Sequence, residues 1–187
     1  MMTKALIGLF GKMRLFLSLL ACIVAGSSHA QLYINGADMV ANNVDIGVTG
    51  TDRADLINWG GNVEINGYVG VQGNFLNTRG GIFLVRGTTR VGQLLQNDGN
   101  NGISFLTQEG RLILGGNLLN TSNHNTNLLT LILDGPIDQT IQYNDQLSLR
   151  GIVLEGDGIK EFRDDVVLDS VLHLKGGLLQ MGVDDTL

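Results

Sequence analysis

A single cysteine among 187 residues builds neither a disulfide framework nor a cysteine-rich zinc site. One proline, with 27 glycines in no Gly-X-Y period, excludes collagen. Twelve basic side chains face eighteen acidic ones, a net charge of −6, so a nucleic-acid-binding basic face is absent. Aromatic residues are 5% of the chain. Apolar residues are plentiful: at 43% they suffice for a core and exclude wholesale disorder.

Residues 1–30 read as a secretory signal peptide. Lys4, Lys12 and Arg14 form a basic start, Leu15 to Ala25 is an apolar run, and Ser28-His29-Ala30 ends in small residues where a signal peptidase cuts. The run is shorter than the roughly 20 residues of a spanning helix, which weighs against a membrane anchor. Leu19-Leu20-Ala21-Cys22 resembles a lipobox, and a lipid on Cys22 is the alternative. Because the apolar run continues past Cys22, cleavage after Ala30 is the expectation. The mature chain then carries 9 basic and 18 acidic groups, a net charge of −9, and no cysteine. Its stability outside the cell must come from another source.

The rest of the chain, residues 31–187, repeats a short unit: apolar, any, apolar, any, Gly. The units are Ile46–Gly50, Val69–Gly73, the weaker Thr89–Gln93, Leu112–Gly116, Leu131–Gly135, Ile152–Gly156 and Leu172–Gly176. Their fifth positions are separated by 23, 20, 23, 19, 21 and 20 residues, a period that marks a solenoid. Alternation within the unit is strand patterning. Gly60-Gly61-Asn62 and Asp157-Gly158 are turn signals that tolerate positive φ. A βαβ unit needs about thirty residues, so a twenty-residue period fits one coil of two or three short strands. The expected fold is all-β: a right-handed parallel β-helix (β-solenoid), with equivalent positions stacked about 4.8 Å apart.

Stacking predicts inward ladders. One runs Val48, Val71, Val91, Leu114, Leu133, Leu154 and Leu174. Its partner runs Ile46, Val69, Leu112, Leu131, Ile152 and Leu172. A second strand of the coil is expected to add Phe75, Leu118, Ile137 and Leu178. Each fully buried aliphatic contributes about 1.5–3 kcal/mol, so stacked aliphatics replace disulfides. Asn77 and Asn120 occupy matching places one intervening coil apart. They are expected not to touch, each instead bonding a turn backbone or solvent. Between the inward positions, Ile113, Ile132 and Val153 put three successive aliphatics on the outer face. They are either β-branched strand formers or a docking stripe.

The C-terminal third resembles the β-strand repeat regions of large secreted surface or adhesin-like proteins of Bacteroidetes-type bacteria. The resembling stretches are Leu131–Gly135 with Asp138–Ile141, Leu149–Leu154, Gly158–Phe162, Val166–Leu168 and Leu172–Leu179. The match is close over residues 128–187 and loose over 31–127. The resemblance implies an extracellular or cell-surface protein of structural or adhesive role. Its usual C-terminal sorting domain has no counterpart here, and Asp185-Thr186-Leu187 falls where another coil would begin. The solenoid is therefore expected to be the N-terminal piece of a longer one. Asp169-Ser170-Val171 and Asp185-Thr186-Leu187 resemble the O-glycosylation acceptor of those bacteria.

Parallel β-helices also carry polysaccharide lyases and hydrolases, whose sites cluster carboxylates on one face. Asp164-Asp165 and Asp184-Asp185 are the available pairs, and adjacent strand residues point to opposite faces. Asp164 and Asp184 lie about one coil apart, which suits an acid pair or calcium site less well than a solvated acidic turn. His124 and His173 have no triad or metal partners at suitable spacing. Asp98-Gly99-Asn100-Asn101-Gly102 lacks the distal Glu of a calcium loop. Trp59 and Tyr68 are the candidate glycan contacts, with an N-terminal cap as the alternative for Trp59. No catalytic residue, metal or cofactor is expected. The expected partners are a cell-surface polysaccharide or another protein, with membrane contact only through the leader or a lipid on Cys22. The alternatives are the N-terminal part of a β-helical lyase or hydrolase, and a carbohydrate-binding module.

Overall fold

Short alternating segments with no proline inside them, separated by glycine, asparagine and aspartate, pair as strands because extended backbone must find partners outside its own segment. The computed structural model describes residues 29–36, 39–50, 53–79, 81–98, 103–104, 110–121, 129–144, 147–182 and 187. Its strands are β1 (His29–Asn35), β2 (Met39–Val48), β3 (Arg53–Trp59), β4 (Asn62–Val71), β5 (Phe75–Thr78) and β6 (Ile82–Val85). There follow β7 (Thr88–Val91), β8 (Leu95–Asn97), β9 (Ile103–Ser104), β10 (Arg111–Leu114), β11 (Leu118–Asn120) and β12 (Leu129–Leu133). The last are β13 (Gln139–Tyr143), β14 (Leu147–Leu154), β15 (Ile159–Phe162), β16 (Val166–Leu174) and β17 (Leu178–Met181). β1 opens at His29, two residues before the expected mature start, and pairs His29 and Ala30 with Arg53 and Ala54.

The described strands pair in parallel and form two sheets, of eight strands (β1-β3-β5-β8-β11-β13-β15-β17) and nine (β16-β14-β12-β10-β7-β4-β6-β9), with β2 added beside β4. The larger sheet bends where its register shifts, at Asn42/Val44, Leu129/Thr130 and Leu149/Gly151. Its long strands thus cover two faces, and the smaller sheet is the third. The chain is a β-solenoid of about six coils of roughly 20 residues.

All seven sequence units stack in register. Ile46 aligns with Val69, Thr89, Leu112, Leu131, Ile152 and Leu172, coil after coil. Thr89, buried, fills the position that the weak third unit leaves without an aliphatic. The middle of both ladders is solvent-free. The ends are not: Ile46 is half-buried, while Leu172 and Leu174 are 37% and 57% exposed. Each lacks a described coil on one side.

The third face corrects two expectations. Phe75 and Leu118 point inward, in line with Leu95, Ile141, Phe162 and Met181. Ile137, by contrast, is 68% exposed and Leu178 60%. The cause is corner length. Val71 and Phe75, Val91 and Leu95, and Leu114 and Leu118 are four positions apart, whereas Leu133 and Ile141, and Leu154 and Phe162, are eight apart. The longer corner carries Ile137 outside before the chain turns in at Gln139.

That corner explains two buried polar side chains. Gln139 Nε2 donates to Leu114 O (2.9 Å) and Gly116 O (2.6 Å). In the next coil Lys160, aligned with Gln139, is fully buried and donates from Nζ to Gly135 O and Ile137 O, both at 2.8 Å. The wider turn leaves carbonyls facing inward, and a long donor reaches them. Close packing of the corner also fixes glycine: a Cβ on Gly156 would lie 1.9 Å from Gly135 O, and one on Gly135 2.2 Å from Gly115 O.

At the far end of the third face lies an asparagine ladder. Asn58 Nδ2 donates to Asn77 Oδ1 (2.7 Å), Asn77 Nδ2 to Asn97 Oδ1 (2.8 Å), and Asn97 Nδ2 to Asn120 Oδ1 (2.5 Å). All four are buried. Asn77 does bond a turn backbone, Gly81 O at 2.9 Å. Asn77 and Asn120 do not touch each other, as expected, but neither is solvated: Asn97 of the intervening coil bonds both. At the near end, Asx side chains accept the next coil's N–H: Asn74 N to Asp55 Oδ1 (2.7 Å), Leu94 N to Asn74 Oδ1 (3.1 Å), Thr140 N to Asn117 Oδ1 (2.9 Å) and Ile159 N to Asp138 Oδ1 (2.7 Å).

Candidate functional site

The outer row between the two inward ladders is Gly47, Gly70, Arg90, Ile113, Ile132, Val153 and His173, each aligned with the next. Parallel pairing brings the stripe residues Ile113, Ile132 and Val153 together on adjacent strands. All three are half-buried. Arg90 reaches past the coil that carries Ile113 to bond Asp134, Nη1 to Oδ2 at 2.6 Å. Beyond Val153, Lys175 Nζ meets Glu155 Oε1 at 2.5 Å. The hydrogen bond from Lys175, then its charge, holds the exposed Glu155 carboxyl below its ordinary pKa. One ion pair thus spans the Ile113 end of the aliphatic stripe, with Asp134 largely covered, and the other, exposed to solvent, lies beside its Val153 end.

Trp59 and Tyr68 stand on different sheets. Trp59 ends β3, aligned with Asn35 and Thr78, and is 36% exposed. The Arg79 guanidinium sits 4.4 Å from its ring centroid, a cation–π contact that covers part of the ring. Arg79 holds a left-handed φ of 54°, a conformation of modest cost outside glycine. Tyr68, half-buried on β4, lays its ring over Gly70, where an added Cβ would lie 2.8 Å from Tyr68 Cε1.

Asp164 Oδ2 accepts Tyr143 N at 2.5 Å, a backbone-capping role. Asp184, Asp185, His124 and residues 99–102 of the glycine-rich turn lie outside the described residues. Among the described residues no three His, Cys, Asp or Glu side chains gather as a metal site. No described helix is long and apolar enough to cross a membrane.

The polar group that sequence reasoning missed is the corner around Lys160. Burial pushes its ammonium below the ordinary lysine pKa, opposed by the negative charges of Asp138, Asp157 and Asp134. The signal was available: in Ile159-Lys160-Glu161-Phe162 an inward Phe162 forces Lys160 inward too. Asn58 and Asn97 were missed as well, although Asn58, Asn77, Asn97 and Asn120 recur at intervals of 19, 20 and 23 residues. No family model, curated protein or solved structure matches the chain.

Proposed function

We propose that the chain is a structural and adhesive segment of a secreted or cell-surface bacterial protein, exported by residues 1–30, without a catalytic site of its own. The observation that carries this reading is the continuous alignment of the seven sequence units, from Ile46 on β2 to Leu172 on β16. Each described coil is tied to the next by a backbone ladder, and from β3 to β15 side-chain bonds on the third face add to it. Such a stack is a stiff spacer whose outer rows repeat at a fixed rise. The winding is right-handed, as crossovers between parallel strands are. The Bacteroidetes-type resemblance of residues 128–187 and the mature net charge of −9 suit an exposed surface. Protease shaving of intact cells tests location: digestion of the chain at the surface supports the reading, and full protection with cytoplasmic recovery overturns it.

A carbohydrate-binding module is the second reading, favoured by the partly exposed Trp59 ring. Its partner would be a cell-surface polysaccharide. Under it, Trp59→Ala lowers polysaccharide affinity at least tenfold while leaving the strand circular-dichroism signal intact, as measured by glycan array and titration. The Ile113, Ile132 and Val153 stripe serves a protein partner instead, and binding that survives both Trp59→Ala and Ile132→Lys excludes both surfaces.

A further inference from the structure

One corner of the third face departs from its neighbours in a single residue. Gly36, Gly60 and Arg79 directly follow the aligned residues Asn35, Trp59 and Thr78. All three turn the chain through the left-handed region, at φ of 61°, 73° and 54°. Two coils place glycine there, which enters that region without steric cost. The third places arginine, the one non-glycine residue with such a φ among the described residues. Backbone held in sparsely populated regions clusters at ligand clamps and other working sites.

The turn folds the Arg79 guanidinium over Trp59, 4.4 Å from the ring centroid. Contact with a ring face uses the guanidinium charge but none of its five N–H donors. Arg86, Arg90 and Arg163 each bond a carboxylate. Arg79, exposed, bonds none among the described residues. Two carboxylates stand near it. Asp55 on β3 is buried and accepts Asn74 N at 2.7 Å and Asn74 Nδ2 at 3.1 Å. Asp98 lies exposed beside Thr78 in the next coil and makes no ion pair with Arg79. In a chain of net charge −6, a pinned guanidinium with open donors is a seat for an incoming anion.

Trp59 supplies the other half. Its ring stays 36% exposed beneath Arg79. β1 and β5 flank it on either side, so this exposure does not arise at an end of the stack. Ile57, two residues earlier, shares its outer face. Tyr33 and Leu76 align with Ile57, and all three are half-buried. An apolar platform beside a guanidinium fits a ligand with an apolar ring face and a planar anion on its rim. The carboxylate takes two parallel N–H bonds from the guanidinium, and the C–H face of the ring rests on the indole.

We propose that Trp59 and Arg79 bind a carboxylate-bearing sugar, a uronic acid unit of an acidic polysaccharide. The proposal rests on the carbohydrate-binding reading above and names its ligand class.

The test titrates polygalacturonate and alginate into the purified chain by calorimetry, with methyl-esterified polygalacturonate and polyglutamate as counter-probes. Arg79→Gly puts the residue of the two neighbouring coils at the turn, so it should unfold at the same urea concentration as wild type or a higher one. Wild type is expected to bind at least one of the uronate polymers. Arg79→Gly, and esterification on the unaltered protein, are each expected to weaken binding about tenfold or more. Arg111→Gln, which removes an exposed arginine of β10 on the other sheet, should leave affinity unchanged. Equal affinity for acid and ester, or for wild type and Arg79→Gly, overturns the proposal and leaves the carbohydrate reading standing. An equal loss in Arg111→Gln, or equal binding of polyglutamate, overturns it as unspecific charge attraction. Absence of binding to any glycan, charged or neutral, overturns both.

Discussion

Lys160 shows how one side chain can be both costly and necessary. Its aliphatic stem crosses the widened corner and its ammonium satisfies Gly135 O and Ile137 O. Methionine in its place keeps the stem volume but strands two inward carbonyls, so Lys160→Met is expected to lose about 2–4 kcal/mol in urea unfolding at pH 7. The pH dependence has a definite sign. The folded pKa lies below that of the unfolded chain, so between the two values the unfolded state binds more protons and stability rises with pH. Below the folded pKa the burial cost is fully present. Urea titrations approaching pH 10.5 should therefore narrow the charge penalty of wild type, while Lys160→Met shows no such gain. Equal slopes for the two proteins would show that the amine is not desolvated.

At the level of strands, the asparagine ladder ties β3, β5, β8 and β11 together through amides that each donate one way along the axis. Direction matters: Asn97 accepts from Asn77 and donates to Asn120. Asn97→Asp keeps the shape but removes the donor, setting two acceptors face to face. The variant is expected to lose about 2–4 kcal/mol at neutral pH. It should recover part of that as pH falls, because a protonated carboxyl donates again and a buried carboxyl has a raised pKa. Denaturation at pH 4 and pH 7 measures it, and a loss independent of pH would refute the donor argument. The strands of the two inward ladders were legible because a period near twenty survives every insertion on one face. The third face was not. Ile137 and Leu178 were assigned by constant offset from the glycines, and the offset changes where the corner grows beyond Gly135. Lys160 and Asn97 were hidden for a related reason: polarity reads as surface until the partner that satisfies it is seen. Ile113, Ile132 and Val153 were placed on one outer stripe from spacing alone, and parallel register does bring them side by side.

Among the described residues backbone pairing joins each coil only to its neighbours, with the Arg90–Asp134 bond the one reach across two, so stability is close to a sum of local and nearest-neighbour contributions. Amide exchange should be slowest in β10, β12 and β14, whose inward residues are fully covered, and faster in β16 and β17. Hydrogen-exchange mass spectrometry would show the gradient, and uniform protection would contradict it. The parallel register has one more consequence, for a segment held between two anchored points. Hydrogen bonds between coils run along the axis, so a pull on the two ends loads them one coil at a time rather than in concert. Each released coil of roughly twenty residues converts a rise of about 4.8 Å into about 60–70 Å of extended chain. Under load the rod becomes a series of mechanical fuses, giving way at low force in regular steps and lengthening more than tenfold before it parts.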